Sequence, residues 1–272
     1  MGLELERLKR RKKSLKKIEK LINDVNNALL IHYSCESFYD IKDGRSPRIT
    51  SIAIRNLDSA QTESFSIHQM AERKHIPLDN ISEHYDSLEK MMLDDYFQYL
   101  RSRNMATWIH WNMRDSNYGF IAIEHRYKVL GGVPHTVPDD HKFDLSRALV
   151  DIYSEKYIGH PRLESIMTKN AITNQHFLTG AQEAEAFNNK DFLLLHKSTL
   201  KKIDIFENIF RKVAEDRLKV NSGWAEQRGL KPGTVVEVIK THWLFSTVSI
   251  ILMIISFFKE IYGVSHLLKF FN

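Results

Sequence analysis

Leu29 to Asp40 read Leu-Leu-Ile-His-Tyr-Ser-Cys-Glu-Ser-Phe-Tyr-Asp, and Ile49 to Ile54 read Ile-Thr-Ser-Ile-Ala-Ile. The first stretch begins as a short apolar strand and ends in small and polar residues around one carboxylate, Glu36. That places the carboxylate at a strand end. The second is a β-branched run long enough for one sheet strand. Between them, Asp43-Gly44-Arg45-Ser46-Pro47 carries turn signals. A hairpin follows, with Glu36 near its open end.

Working outward, Glu63 to Ile67 alternates as a third strand after the Asp58-Ser59 turn, which makes an antiparallel meander. Glu72 to Asn80 is irregular and polar around Pro77. Ser82 opens a helix through Leu88, Met91, Met92, Phe97 and Leu100, with Glu83 and Asp86 near its start and Arg101 and Arg103 at its end. Thr107 to His110 then reads as a fourth strand, joined to the sheet by the helix crossover. Tyr118 to Leu130 is helical and stops at Gly131-Gly132. Phe143-Asp144-Leu145 is a short strand or a helix start. Helices are expected over Leu145–Tyr153, Arg162–Lys169, Thr179–Phe187 and Ser198–Leu218. The order of elements is that of an α/β fold with a mixed sheet.

The chain has 272 residues and a formal charge of +5. Nine Lys or Arg and three Glu fall within residues 1–20, so this arm carries +6 and the remainder sums to −1. Leu8, Leu15, Ile18, Leu21 and Val25 recur at helical spacing within it, which predicts a basic amphipathic helix over residues 1–27. Two readings stand: a solvated helix lying on the body or self-associating, and a polyanion contact through Arg10, Arg11, Lys12 and Lys13. Cys35, the single cysteine, excludes an intramolecular disulfide and fits a reducing compartment. Hydrophobic residues make up 43 % of the chain, enough for a buried core and against global disorder.

Residues 219–240 read as a connector with a short strand in Thr234 to Val238. No charged side chain occurs from Thr241 to Phe258. Such a helix rises about 27 Å, close to the roughly 30 Å of a bilayer's hydrocarbon core. Trp243, Leu244, Ile250, Ile251, Leu252, Ile254, Ile255, Phe257 and Phe258 would face the lipid. Residues 241–272 are therefore expected to hold a single-pass C-terminal anchor that keeps the body on the cytoplasmic side of a membrane. A buried C-terminal helix and an in-plane arrangement are the alternatives.

Four acidic stretches carry a resemblance. Ser34-Cys35-Glu36-Ser37, His110-Trp111-Asn112-Met113 with Asp115, Phe143-Asp144-Leu145, and Gly180 to Ala186 with Glu183 and Glu185 stand in the order of the acidic motifs of the DnaQ-like 3′-to-5′ exonucleases. Over residues 28–218 the chain resembles that DEDD group, which implies an RNase-H-like fold. It also implies two Mg²⁺ or Mn²⁺ ions, held by carboxylates about 4 Å apart, that activate water for phosphodiester hydrolysis. By that resemblance Glu36, Asp115, Glu183 and Glu185 are the catalytic candidates. Glu36, Asp115 and Asp144 are the metal ligands, and Asn112 joins the basic arm in contacting nucleic acid.

The sequence departs from the pattern at defined places. Ser34 stands where an Asp would bridge both ions, Glu183 or Glu185 is one methylene longer than the last Asp, and Asp115 is one residue closer to its Asn. Each acid also has a structural role open to it: Asp144 as a helix cap, Glu183 and Glu185 on a solvated face. The expectation is a membrane-anchored, exonuclease-like domain that binds single-stranded nucleic acid or a protein partner, a second copy included, with weak or absent nuclease activity. An active metal-dependent exonuclease acting against foreign nucleic acid, and a membrane-active effector controlled by the body, are the alternatives.

Overall fold

The computed structural model describes residues 3–37, 46–115, 117–229 and 247–257. The chain runs α1 (Leu3–Asn23), β1 (Ala28–Cys35), β2 (Ile49–Asn56), β3 (Thr62–Ser66), α2 (Ile67–Arg73), α3 (Tyr85–Ser102), β4 (Thr107–His110) and α4 (Phe120–Val129). It continues through β5 (Lys142–Asp144), α5 (Leu145–Tyr153), α6 (Arg162–Lys169), α7 (Gly180–Asn188), α8 (Phe192–Ala214) and α9 (Trp224–Gln227). The strands form one mixed sheet in the order β3-β2-β1-β4-β5. The meander is antiparallel, whereas β4 and β5 run parallel to β1.

β1 lies in the middle of the sheet and is covered on both faces, which explains its unbroken apolar start. Leu29, Ile31 and Tyr33 pack with Leu88, Met92 and Tyr96 of α3. Ala28 and Leu30 pack on the other face with Leu149 of α5 and with Ile203, Phe206 and Phe210 of α8. The meander, the α3 crossover, β4 and the cap of α5 by Asp144 fall where the sequence places them. Several boundaries differ: α3 begins at Tyr85, after a 3-10 turn over Leu78–Glu83 that takes in Ser82, and α8 ends at Ala214 before Leu218. The alternating run at Glu63 to Ile67 ends at Ser66, and Ile67 begins α2, whose Ile67, Met70 and Ala71 are buried. α8 begins at Phe192 instead of Ser198, because Phe192 and Leu195 belong to the α3 side of the core while the later turns belong to the α5 side. Glu36 lies at the loop end of the β1–β2 hairpin and not at the open end expected from the sequence, because Cys35 pairs with Ile49 next to the connection; its N–H donates to the Arg48 carbonyl at 2.9 Å.

The basic arm is a docked helix. Ile18 and Leu21 are buried against α5 and α8, and the guanidinium of Arg7 donates to the carbonyls of Asp151, Glu226 and Gln227. Arg10 pairs with Asp151 at 2.9 Å, and Arg11 donates to the Ile152 carbonyl at 3.1 Å. Half of the arm's predicted polyanion contacts therefore point into the protein.

The expected membrane anchor is corrected. No helix of the described residues is long and apolar enough to cross a membrane. The described C-terminal helical segment covers residues 247–257. Thr247, Ser249 and Ser256 interrupt its apolar surface. The transmembrane helix, the membrane localisation and the cytoplasmic side assigned to the body are withdrawn with it. Trp243, Leu244, Phe258 and the connector strand at 234–238 lie outside the described residues.

One buried ion pair ties the two layers above the α3 face. Glu89 of α3 is fully buried, accepts from the Ile49 N–H at 2.7 Å, and faces the Arg126 guanidinium of α4 at 2.6 Å. Burial pushes the Glu89 carboxyl above its usual range, and Arg126 opposes that shift. Arg126→Met removes the opposing charge and is expected to cost about 3–5 kcal/mol, read from urea unfolding. An acid whose folded pKa lies above its unfolded value loses stability as pH rises. The deficit should therefore be larger at pH 8 than at pH 5, and a deficit independent of pH would show that Glu89 does not carry it.

Candidate functional site

A cleft of about 1210 Å³ opens at the carboxyl ends of β1 and β4, between the β4–α4 loop and α7. Ligands of open α/β sheets sit at this end of the strands. Its walls include Glu36, Asp115, Glu183, Glu185 and Asn112, so five sequence-predicted residues separated by up to about 150 positions line one cavity. Asp144 lies apart: it caps α5 through the Arg147 N–H at 3.3 Å, accepts from the Asn112 N–H at 3.2 Å, and pairs with Arg114 at 2.5 Å.

The loop that brings Asn112 and Asp115 to β1 is fixed by close packing. Gly119 lies against Met113, where a β-carbon would meet the Met113 carbonyl at 2.6 Å, so no other residue fits there without moving the backbone. Its N–H donates to the Tyr33 hydroxyl at 2.9 Å, and Tyr118 stacks on Tyr33 with 4.6 Å between ring centroids. Asn112 adopts a left-handed backbone, φ 56°, which asparagine tolerates. Asp115 accepts from the Asn117 N–H at 2.8 Å. His110, behind the loop, accepts from the Met113 N–H at 3.1 Å, and burial lowers its pKa to about 4 despite the nearby Asp144. It is therefore a neutral sheet histidine.

The decisive group was not anticipated from the sequence. Lys202 of α8 places its ammonium 2.6 Å from Glu183 Oε1. The same oxygen accepts from Ser198 at 2.8 Å and from Ser34 at 3.2 Å, and Ser34 also lies 2.7 Å from the Thr199 hydroxyl. Lys202 is only 8 % exposed at its side chain and Glu183 13 %. Its charge joins burial in pushing His32 well below the ordinary histidine range. The signal in the sequence is the row Ser198, Lys202, Phe206, spaced by four along one buried face of α8.

No protein-family model, curated protein or solved structure matches the chain. The case for any chemistry therefore rests on the side chains.

Two metal ions about 4 Å apart require a carboxylate that bridges them. Here a serine hydroxyl holds that place and is engaged by Thr199, while Glu183 is already neutralised by an ammonium. Among the described residues no group of His, Cys, Asp and Glu could hold a metal ion. The donor set does not fit the two-ion pair. Glu36 has Oε1 occupied by the Arg48 N–H at 2.7 Å. Glu185 lines the cleft two residues beyond Glu183 on α7. Of the expected nucleic-acid contacts, Asn112 is in the cleft, Arg10 and Arg11 are turned onto the body, and Lys12 and Lys13 are exposed on α1.

Cys35 lies beside these carboxylates, and burial, followed by the charges of Glu183 and Glu36, pushes its thiol up to about 12. At pH 8 roughly one molecule in 10,000 then carries the thiolate. Disulfide exchange with a chromogenic reagent at pH 8 should run at least about 100-fold slower than for free cysteine and recover in 6 M urea. Fast reaction of the folded protein would show that the thiol is ionised there.

Proposed function

We propose that this chain is an exonuclease-like binding module, with single-stranded nucleic acid as its ligand and with weak or absent phosphodiester hydrolysis. One observation carries the reading: the Lys202 ammonium sits on Glu183 beside Ser34, at the cleft where the resemblance calls for metal-bridging acid. The resemblance to the DEDD exonucleases is supported by the order of elements and by the convergence of four of its acid positions on one cleft. The lining suits exposed bases. Half-buried Tyr118 supplies an aromatic ring to the lining, and Asn112, Asn117, Asn188 and Asn189 supply amide donors and acceptors. Carboxylates that no longer hold metal can accept from base amino groups.

A second reading has its own support. The cleft carries four carboxylates, Glu36, Asp115, Glu183 and Glu185, against the single ammonium of Lys202. That excess of negative charge favours a cationic protein segment over the phosphates of a strand.

The two are separated by fluorescence anisotropy of the full chain with a 12-nucleotide single strand and with a lysine-rich peptide. The nucleic-acid reading predicts strand binding that weakens as salt rises from 50 to 200 mM. It also predicts binding within twofold in Glu36→Gln, which keeps an oxygen for the Arg48 N–H, and no stepwise loss of nucleotides with Mg²⁺ or Mn²⁺. Peptide binding without strand binding would establish the second reading instead. Release of 3′ nucleotides that needs Mn²⁺ and disappears in Glu36→Gln would overturn both and make the protein a nuclease.

A further inference from the structure

A second cavity of about 380 Å³ lies beside the cleft and shares Asn112, Tyr118 and Lys202 with it. Its character is opposite. The lining holds Arg114, Arg162 and Lys202 against one carboxylate, Glu164. Each cation also has an acid partner, respectively Asp144, Glu155 and Glu183. Glu155 is 70 % exposed, so its pair with Arg162 is weak and leaves that guanidinium available.

Three further features converge on the same space. α6 starts at its edge with Arg162, Leu163 and Glu164, and among the described residues no side chain caps the N-terminus, which follows Pro161. Uncapped N–H groups at a helix start, with the positive end of the helix dipole, form an anion site. Arg162 Nε is buried with no hydrogen-bond partner among the described residues. So is His32 Nε2, on a side chain 5 % exposed that lines the cavity. The Tyr118 hydroxyl donates to the Tyr33 carbonyl at 3.1 Å and therefore accepts from His32 Nδ1 at 3.2 Å. Nε2 is left with a lone pair and seeks a proton.

We propose that this second cavity is a phosphomonoester site, in which Arg162, Arg114, Lys202 and the α6 N-terminus hold the phosphoryl oxygens and His32 Nε2 takes a hydrogen bond from the group's proton. A monoester keeps an ionisable proton with a pKa near 6 that a diester lacks, which separates a strand terminus from internal phosphates. Half-buried Trp111, stacked on Phe206 at 5.5 Å, gives the cavity an aromatic wall. A free nucleoside monophosphate and the terminal phosphate of a strand present the same chemistry. The second source rests on the nucleic-acid reading of the adjoining cleft; the first does not.

The test is calorimetry of the full chain with inorganic phosphate, adenosine 5′-monophosphate and adenosine, followed by anisotropy of an octanucleotide with and without a terminal phosphate. The monophosphate is expected to bind at least 10-fold more tightly than adenosine. Arg162→Gln, which gives up a pair to an exposed acid and a contact over the Tyr157 ring, should weaken it at least 10-fold while the protein still unfolds in one cooperative thermal transition. Ser146→Glu, which adds a carboxylate to the lining, should abolish it. A terminal phosphate that strengthens octanucleotide binding identifies the strand as the source, and monophosphate binding without octanucleotide binding keeps this site while removing the nucleic-acid reading. Octanucleotide binding indifferent to the terminal phosphate, with no monophosphate bound at 1 mM, would overturn the site and leave the reading of the cleft standing. Equal binding by both variants would overturn it as well.

Discussion

The contact between Lys202 and Glu183 decides what the centre of this protein can be. An ammonium at 2.6 Å, nearly closed off from water, supplies the positive charge that a carboxylate in this position requires. Ser34 then need not be an acid. A second negative side chain beside Glu183 would exceed what one ammonium neutralises, and a hydroxyl that bonds to Thr199 and Glu183 satisfies the same space without charge. The departure at Ser34 and the presence of Lys202 are two halves of one arrangement. Either half alone leaves an unbalanced charge in a site that solvent hardly reaches.

Everything that positions this pair follows from β1. Its alternate side chains enter two separate cores, so its register relative to β2 and β4 is fixed on both faces. The register shift between Ser34 and Cys35 occurs where the strand leaves the sheet. From there the chain places Glu36 at the loop end, while α8 brings Ser198, Thr199 and Lys202 over Ser34. The buried Glu89–Arg126 pair holds the start of β2 through the Ile49 N–H, so the edge of the cleft is tied to α3 and α4 as well.

Much of this was legible in the sequence, and the failures have a common origin. Strands β1 to β4 announced themselves through β-branched runs and turns, and Asp144 as a cap through its place before an amphipathic run. Local pattern failed where tertiary packing supplied the deciding term. The first turn and a half of α8 went unread because Phe192 and Leu195 pack in a different core from Ile203 to Phe210. Lys202 gave no local signal, because only Glu183, nineteen positions earlier, makes its burial tolerable. Of the two readings of the basic arm, the helix lying on the body is the one seen for Arg7, Arg10 and Arg11, whose partners are backbone carbonyls and Asp151, while Lys12 and Lys13 stay exposed. The apolar tail read as a membrane span from its run of uncharged residues, whereas among the described residues no helix is long and apolar enough to cross a membrane.

The two adjoining cavities put opposite charges on either side of Asn112, Tyr118 and Lys202. An acidic cleft repels a phosphate, and a cationic pocket repels a protonated amine, so a ligand that fills both must itself be divided. A nucleotide is such a molecule: an anionic phosphoryl group with one ionisable proton at one end, and at the other a neutral base whose amino groups donate hydrogen bonds. Lys202 stands at the border and serves both sides, neutralising Glu183 in one cavity while adding positive potential to the other. A protein segment would meet the same division only with an acidic and a basic side chain at the matching spacing. The charge pattern therefore constrains the ligand more narrowly than the size of either cavity does.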